Sequence, residues 1–330
     1  MRRYAFVAGG RTGTGTVDRL DLSDGTVRKL ASNAERVIFG NDKLIVEDVN
    51  GTLPFTDVAQ KLLIVDPVSM TTETTLSSVG FRSGLGIIGS TLYAQGGSAA
   101  PGDLLEVSLV SNSITDTFAV PGLLNRNLPY AFGSLWSHNS FNADWTNGTM
   151  RIYRVNPSDG TIEADISTGN SATNQVFMRD IAATDDAVYA SDLQERIYKI
   201  DPDTDTITDT FNVRSELSLT NPANMSAKEL TSDGSSVFFI TGVGGLYKID
   251  SSDNFTTFGA SAGNGGVYYY DDRVYVSGPL FPNKTLLTAY DSSTGAEVLS
   301  YEWAGGEGGA DVVVADVEGT FGIFVGAVVF

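Results

Sequence analysis

The only histidine of the chain, His138, is the residue best suited to acid–base chemistry. It lies in the stretch SLWSHNSFNADWTNG, residues 134–148. Because an imidazole titrates near neutral pH, it can give or take a proton in catalysis. The alternative is a loop histidine that hydrogen-bonds locally or packs beside Trp136. If the protein is an enzyme, we predict His138 as its catalytic residue, and otherwise we predict none.

The run Asp201-Pro-Asp203-Thr-Asp205 has the alternating carboxylates that open a calcium-binding loop. Such a loop needs Gly at its sixth position and Glu at its twelfth, where this chain has Thr206 and Asn212. We therefore predict a structural turn and no metal site. The glycine-rich residues 9–15 are not followed by Gly-Lys-Ser/Thr or by a helix pattern, so we predict no phosphate-binding loop and no cofactor.

Aromatic side chains in long polar stretches are candidates for binding a ligand or partner. Aromatic rings can stack on sugars or anchor a protein partner, and Arg126, between two asparagines, is their polar companion. Small cores within the loops themselves are the alternative use of such rings. The predicted binding residues are Arg126, Tyr130, Phe141, Trp145, Phe177 and Phe281.

The charge balance excludes several partners. The chain has 40 acidic and 21 basic residues, a net charge of −19, and no cysteine. Nucleic acids and anionic membrane surfaces are bound by clustered Lys and Arg, so neither is predicted as a partner. No apolar run approaches the roughly 20 residues that cross a bilayer, and disulfides and thiolate metal sites are excluded.

The element that must position these candidates is a repeated hairpin, clearest in residues 196–213 (RIYKIDPDTDTITDTFNV). Two segments alternate apolar and polar side chains, and the turn between them is rich in Asp, Pro and Thr, which predicts two strands and a tight turn. The pattern occurs seven times, with anchor residues 41 to 49 positions apart. The anchors are Asp21, Asp66, Ser108, Asn156, Asp201, Asp250 and Asp291.

A pair of apolar strands precedes each hairpin, as in residues 180–193 and 229–242. Each unit therefore has four strands, which we name A to D in chain order. A period of about 40–50 residues with four strands per unit is typical of a propeller blade. We predict an all-β, seven-bladed β-propeller with four-stranded antiparallel blades, forming one domain over residues 1–330.

The two ends of the chain are predicted to close the ring. Residues 4–10 match strand B of other units, so the first unit lacks strand A, while residues 311–316 and 321–330 supply spare strands. Joining strands from both ends removes free sheet edges. We predict that the C-terminal strands of about 311–330 close the first blade. Phe324, Val328 and Phe330 are predicted to be buried there or against another chain.

Loop lengths differ between the two faces of the predicted ring. The A–B and C–D turns are short, whereas several B–C and D–A connections, such as 121–130 and 138–150, are longer. In an antiparallel blade the B–C and D–A connections emerge on the same face. Binding residues concentrate on loops held by a rigid scaffold, so this elaborated face is the predicted working face.

The repeats resemble YVTN-type repeats of the quinoprotein-like β-propeller superfamily. The resemblance is carried by a ten-residue motif, as in 153–162 and 198–207. The motif begins with Tyr or another apolar residue and has Asp or Asn followed by Pro or Ser at its fourth and fifth positions. A short polar turn follows, and the motif ends in Ile or Val. The resemblance covers nearly the whole chain. It implies a propeller fold, and its functions range from lactone hydrolases and cofactor dehydrogenases to surface-layer, adhesion and scaffold proteins.

From these observations we predict a non-enzymatic platform that binds a protein or a cell-surface glycan. The stretch after Met1 lacks a signal-peptide apolar core. Together with the composition, this favours a component of a larger assembly, such as a virion tail, fibre or capsid surface that recognises a host cell. The alternative is a cytoplasmic propeller hydrolase of the lactonase kind, with His138 and acids near the central channel.

Overall fold

A ring of seven blades makes up this protein. The computed structural model describes residues 1–9, 16–31, 34–48, 60–79, 84–96, 102–120, 127–139, 148–172, 178–219, 225–242, 244–259, 265–280, 284–304 and 311–318. Within these ranges, 28 strands form seven antiparallel blades of four strands each. The predicted all-β, seven-bladed propeller is thereby confirmed.

The strands follow one another from the axis outward in each blade, so strand A is innermost and strand D is outermost. Blade 1 contains β28 (Asp311–Val317), β1 (Arg2–Ala8), β2 (Thr16–Asp21) and β3 (Val27–Ala31). Blade 2 contains β4 (Ala34–Gly40), β5 (Lys43–Asp48), β6 (Gln60–Asp66) and β7 (Thr71–Val79). Blade 3 contains β8 (Leu85–Ile88), β9 (Thr91–Gly96), β10 (Gly102–Ser108) and β11 (Ser113–Val120). Blade 4 contains β12 (Tyr130–Ala131), β13 (Ser134–Asn139), β14 (Gly148–Val155) and β15 (Ile162–Ala172).

The last three blades repeat this order. Blade 5 contains β16 (Met178–Ala183), β17 (Val188–Asp192), β18 (Arg196–Asp201) and β19 (Thr206–Asn212). Blade 6 contains β20 (Ala227–Ser232), β21 (Val237–Thr241), β22 (Leu246–Ile249) and β23 (Phe255–Gly259). Blade 7 contains β24 (Val267–Tyr270), β25 (Arg273–Leu280), β26 (Lys284–Asp291) and β27 (Glu297–Ala304). One helical turn, α1 (Val213–Glu216), follows β19. No helix within the ranges given above is long and apolar enough to span a bilayer.

The core lies between blades and not within them. The described residues form seven apolar clusters, one at each interface between neighbouring blades. At the interface of blades 4 and 5, for example, Trp136 and Ile152 pack against Ile181 and Tyr198. Both faces of a B strand are covered by neighbouring blades, which explains the uninterrupted burial of β17. The outermost strand β19 alternates instead, because one of its faces meets water.

The ring is closed by strands from the two ends of the chain. Strand β28 pairs antiparallel with β1, with Ala315 opposite Tyr4 and Val313 opposite Phe6. Strand β28 thus occupies the inner position that the sequence of the first unit lacks, and the predicted closure is confirmed. Residues 319–330 lie outside the described ranges, so the burial of Phe324, Val328 and Phe330 stays a prediction.

Every anchor residue of the repeat lies at a C–D turn, as predicted. Its side-chain oxygen accepts a hydrogen bond from a backbone N–H two or three residues later, which is the geometry of an Asx-type turn. In blade 5, Asp201 Oδ1 accepts from the N–H of Asp203 over 2.8 Å. The other six anchors make the equivalent bond: Asp21, Asp66, Ser108, Asn156, Asp250 and Asp291.

Among the described residues, a basic residue two positions before the anchor joins neighbouring blades at three places. Arg154 Nη1 of blade 4 donates to the carbonyl of Pro202, in the C–D turn of blade 5, over 2.9 Å. Arg19 donates to the carbonyl of Pro67 over 2.9 Å in the same way. Lys199 Nζ lies 2.7 Å from a carboxylate oxygen of Asp253. These contacts fix the face of the ring that carries the C–D turns.

Candidate functional site

The seven inner strands enclose a cavity of about 370 Å³ on the axis of the ring. Its walls come from the A strands of all seven blades, and we call it the axial cavity. The wall residues run from the level of Asp311 at one end to Tyr130 and Ala183, beside the A–B turns, at the other. The volume is within the range of about 300–1,000 Å³ that small-molecule sites occupy.

Apolar side chains are the most numerous on the wall of the axial cavity, but polar atoms contribute at least as much of its surface as apolar atoms do. Phe39, Tyr130 and Tyr268 contribute aromatic rings from three different blades. The charged wall residues are Glu229 and Asp311, both acidic, and no lysine or arginine lines the cavity among the described residues. A concave surface that combines apolar side chains with directional polar groups can hold a ligand.

A hydrogen-bonded cluster lies at the end of the cavity where the inner strands begin. Arg36 Nη2 of blade 2 donates to Asn127 Oδ1 of blade 4, and Asn127 Nδ2 donates to Asp180 Oδ1 of blade 5 over 2.8 Å. Arg36 Nε also lies 4.0 Å from Asp311 Oδ2 of blade 1. We call Arg36, Asn127, Asp180, Glu229 and Asp311 the axial cluster.

Two aspartates of the axial cluster hold the next blade by the same geometry. Asp180 Oδ2 accepts the backbone N–H of Leu230 over 2.7 Å, which joins blades 5 and 6. Asp311 Oδ2 accepts the N–H of Val37 over 3.1 Å, which joins blades 1 and 2. Inner strands of neighbouring blades diverge and do not pair as a sheet, so a side chain must satisfy these buried donors.

The pKa of Asp311, in the axial cluster, departs strongly from its ordinary value. Burial raises the pKa of Asp311 to about 7, the nearby Arg36 opposes the rise, and Glu229 adds to it. A carboxylate that loses water is disfavoured, and a second carboxylate nearby disfavours it more. Burial likewise raises the pKa of Tyr268, on the cavity wall, to about 12. Near neutral pH the carboxyl of Asp311 is therefore partly protonated.

Two glycines bring Asn127 to the axis. A Cβ at Gly86 would overlap the carbonyl oxygen of Leu128, and a Cβ at Gly84 would lie 2.8 Å from the Leu128 side chain. Because neither glycine has a side chain, the chain at Asn127 can approach closely and forms a parallel bridge to Leu85. The N–H of Leu128 donates to the carbonyl of Leu85 over 2.9 Å. This close approach carries the Asn127 amide towards Arg36.

A second cavity of about 390 Å³ adjoins the axial cavity at the A–B turns of blades 4 and 5. The two share Pro129, Tyr130 and Ala183, and the second one also reaches Phe132 and Asp185. Tyr130 is 49% exposed although it lines both. The axial cavity therefore extends to the face of the A–B and C–D turns.

The predicted placement of His138 in a loop is wrong. His138 belongs to β13, lies opposite Ile152 of β14 and has no exposed surface. Strand B of this blade extends to Asn139 and so continues further than the sequence suggests. His138 does not line the axial cavity.

The predicted placement of Tyr130 on the elaborated face is also wrong. Inner strand β12 has only two residues, so Tyr130 stands directly before the A–B turn, on the opposite face. Its assignment to ligand binding stays a prediction. Arg126, Phe141, Trp145, Phe177 and Phe281 lie outside the described ranges, and their roles stay predictions as well.

The Asp201 turn uses its carboxylates within the protein. Asp201 accepts backbone N–H groups, and Asp205 accepts from Arg154 Nη1 over 2.9 Å. Among the described residues no three His, Asp or Glu side chains are grouped so that they could hold a metal ion.

Reasoning from the sequence missed the axial cluster, although a pattern for it exists. In five units a polar residue stands directly before the apolar core of strand A: Arg36, Asn127, Asp180, Glu229 and Asp311. In the other two units the position is glycine, Gly84 and Gly266. A comparison of strand A across the units would have selected these positions.

No protein-family model matches the sequence, and no curated protein matches it. Among solved structures, a periplasmic gluconolactonase of Pseudomonas aeruginosa, PpgL, is similar with a TM-score of 0.68 and 16% identity, over 96% of this chain and 100% of that chain. The β-propeller domain of Myceliophteria thermophila Cps50 (Swd1) has a TM-score of 0.55 and 12% identity, over 82% of this chain and 87% of that one. Apo AztD from Citrobacter koseri has a TM-score of 0.55 and 11% identity, over 95% and 98%. At these identities the likeness concerns the fold, and the chain is a seven-bladed β-propeller.

Proposed function

We propose that this propeller is a non-enzymatic binding protein that takes a small ligand group into the axial cavity. The observation that carries the proposal is a cavity of about 370 Å³ whose wall combines aromatic residues with polar groups. A group of this size can belong to a free molecule, to a glycan or to a side chain of a protein partner.

The site is held rigidly, which favours binding. Its wall strands are joined across blades through Asp180 and Leu230, through Asp311 and Val37, and through Asn127 and its neighbours. A ligand that binds a preformed site does not have to order it, so less of the interaction energy is lost. The ligand enters from the face of the A–B turns, past the half-exposed Tyr130.

A screen by thermal shift tests this proposal. Soluble saccharides and small amines, alcohols and acids are added to the protein, and ligands that raise the midpoint are titrated by calorimetry. Tyr130→Ala should weaken binding about three- to tenfold through lost stacking. Ala183→Leu should weaken it further by filling the cavity. Val298→Ala, on the outermost strand of blade 7, is the control and should bind like the wild type. If none of the cavity variants changes the affinity for a ligand, that ligand binds outside the axial cavity.

Lactone hydrolysis is the second candidate. Two observations favour it: the likeness to a gluconolactonase over the full length of that chain, and the carboxylates of Glu229 and Asp311 on the cavity wall, since a carboxylate can act as a general base towards water. Hydrolysis of glucono-δ-lactone at neutral pH, compared with the spontaneous rate, tests it. Our proposal expects no acceleration. An acceleration that Asp311→Asn abolishes would establish the enzyme instead.

The location of the protein and the assembly to which it belongs are predicted from the sequence alone. We propose that the protein belongs to a virion or another surface assembly and recognises a host-cell glycan or protein. We also propose that it is a member of the YVTN-type, quinoprotein-like superfamily. The repeat pattern and the composition support these proposals. Immunolabelling of intact particles with an antibody to the exposed C–D turns would test the virion role, and its absence from particles would leave the cytoplasmic alternative.

A further inference from the structure

The turns on one face of the ring differ in charge between blades. On the face of the A–B and C–D turns, six of the seven C–D turns contain an aspartate, and so do the A–B turns of blades 2, 5, 6 and 7. Three turns have no charged residue: 88–91 and 108–113 of blade 3, and 130–134 of blade 4. We call these three turns the uncharged sector.

The three turns of the uncharged sector form one continuous surface. The N–H of Leu109, in the C–D turn of blade 3, donates to the carbonyl of Ser90, in the A–B turn of the same blade, over 2.9 Å. Ile88 packs in the apolar cluster between blades 3 and 4 that also contains Leu135, which directly follows the turn of blade 4. The sector therefore extends across two neighbouring blades.

Exposed apolar side chains are concentrated in and beside the uncharged sector. Six large apolar side chains are exposed in the described ranges, and four of them belong to blades 3 and 4: Val110, Ile114, Tyr130 and Phe132. Val110 lies in the C–D turn and Ile114 directly after it. A group of exposed apolar side chains with a polar border is typical of a surface that binds another macromolecule.

Phe132 has a backbone conformation that does not suit its side chain. Its φ is +54°, in the left-handed region that Gly, Asn and Asp adopt most readily. The same position of the two-residue A–B turn is held by Asn41 in blade 2, Gly89 in blade 3 and Asp271 in blade 7, all with positive φ. An exposed ring at this position is unfavourable for folding, which indicates that it serves binding.

Carboxylates border the uncharged sector on the side of blade 5. Asp185 lines the second cavity together with Tyr130 and Phe132. Asp185 and the adjacent Asp186 are exposed, and neither forms an ion pair within the described ranges. The net charge of −19 adds a field of the same sign. A second copy of this chain would bring a like charge to this face, whereas a basic partner is attracted to it.

We propose that the uncharged sector binds a protein partner through a segment in which a large apolar side chain stands beside a lysine or arginine. The apolar side chain packs on Val110 and Phe132, and the basic side chain lies at Asp185. The aliphatic Val110 and Ile114 favour a protein over a saccharide, because sugars stack on aromatic rings. This inference goes beyond the proposed function, since Val110, Ile114 and Phe132 do not line the axial cavity.

Selection of short random peptides displayed on phage, with the full-length protein as the target, tests the inference. We expect the enriched peptides to have a large apolar residue beside Lys or Arg. The most enriched peptides are then synthesised and titrated by calorimetry. Their affinity should decrease when the salt concentration is raised from about 0.05 M to about 0.5 M, because salt screens the attraction between the basic residue and the carboxylates.

Substitutions in the uncharged sector separate loss of binding from loss of folding. Val110→Asp should weaken peptide binding at least about tenfold, and Val298→Asp, the same change at an exposed valine of blade 7, should not. Phe132→Asn removes the ring but suits the positive φ, so it should weaken binding about tenfold without lowering the melting temperature. Asp185→Asn should weaken binding about threefold and reduce its salt dependence.

Several results would overturn the inference. It is wrong if no peptide is enriched, if the enriched peptides lack basic residues, or if they bind Val110→Asp and Phe132→Asn as they bind the wild type. A wild-type dimer in sedimentation that Val110→Asp dissociates would identify a second copy as the partner instead. Glycan-array binding that Phe132→Asn abolishes would identify a saccharide. The small-molecule screen of the axial cavity does not depend on Val110, so the proposed function can fail or stand independently of these results.

Discussion

The carboxylate of Asp311, the first residue of the last strand, accepts a hydrogen bond from the backbone N–H of Val37 over 3.1 Å, although 274 positions separate the two residues. This bond joins the closing strand of blade 1 to the inner strand of blade 2. The same carboxylate lines the axial cavity. One side chain therefore contributes both to the contact between blades 1 and 2 and to the wall of the candidate site.

The pKa of Asp311 predicts a pH dependence of stability. Because the folded-state pKa is raised to about 7, the folded protein keeps a proton that the unfolded chain releases above about pH 4. The contribution of this carboxyl to the free energy of unfolding therefore decreases as pH rises from about 4 to 7. Asp311→Asn removes the ionisation, so the free energy of unfolding of the variant, relative to wild type, should increase over this window in urea melts.

Asp316→Asn is the matched control on the same strand and should behave in the opposite way. A hydrogen bond from Arg3 lowers the pKa of Asp316, so its stabilising effect is complete above about pH 4 and is lost as pH falls through the lowered value. The loss of stability in Asp316→Asn should therefore be constant from pH 5 to 8. A constant difference for Asp311→Asn as well would contradict the assignment of a raised pKa.

Phe6→Ala should destabilise the ring closure strongly. Phe6 is fully buried in the cluster between blades 1 and 2 and stacks on Phe39 with 6.0 Å between ring centroids. Truncating a buried Phe costs about 3–5 kcal/mol. Chemical unfolding measures the loss, and Val110→Ala, at a position that is 76% exposed, should change stability by less than about 0.5 kcal/mol. If Phe6→Ala also lowered the free energy of unfolding by less than about 0.5 kcal/mol, the interface between blades 1 and 2 would not be tightly packed.

Gly86→Ala should destabilise the protein and weaken ligand binding. The added Cβ meets the backbone of Leu128, which cannot move without displacing Asn127 from Arg36. Overpacking of this kind costs about 1–3 kcal/mol. Gly89→Asn, in the A–B turn of the same blade, is the control, because Gly89 has open space and a φ of +60° that Asn tolerates. If both variants melt alike, the approach of blades 3 and 4 is not constrained at Gly86.

Asp201→Ala should lower the melting temperature through lost turn hydrogen bonds and independently of calcium. The N–H of Asp203 holds the pKa of Asp201 below its usual range, so this stabilisation is present above about pH 4 and disappears as pH falls through the lowered value. Melts of the wild type with calcium and with chelator should coincide. A calcium-dependent shift of several degrees in the melting temperature would instead support a calcium site in this turn.

Deletion of residues 321–330 should leave a folded ring. Strand β28 ends at Val317 and already supplies the inner strand of blade 1, so closure does not require Phe324, Val328 or Phe330. We expect an unchanged circular dichroism spectrum together with loss of self-association or partner binding, measured by light scattering. Aggregation of the truncated chain would show that the segment contributes to closure, and unchanged assembly would show that it serves neither purpose.

The repeat could be predicted because its determinants are local. The Asp201 turn and its six equivalents are specified by hydrogen bonds that span two or three residues, and the strands by a period of two. The missing strand A of the first unit and the spare strand at 311–316 also follow from counting units. Blade number, strand order and the ring closed by the two termini were therefore determined by the sequence alone.

The candidate site was decided by the tertiary structure. Arg36 and Asn127 are 91 positions apart, and Asn127 and Asp180 are 53 apart. They meet only because closing seven blades into a ring brings the starts of the inner strands to one axis. Burial of His138 and the position of Tyr130 beside an A–B turn depend on where strands of blade 4 end. The ends of these strands are set by packing between blades. A repeat period or a turn motif within one unit does not predict that packing.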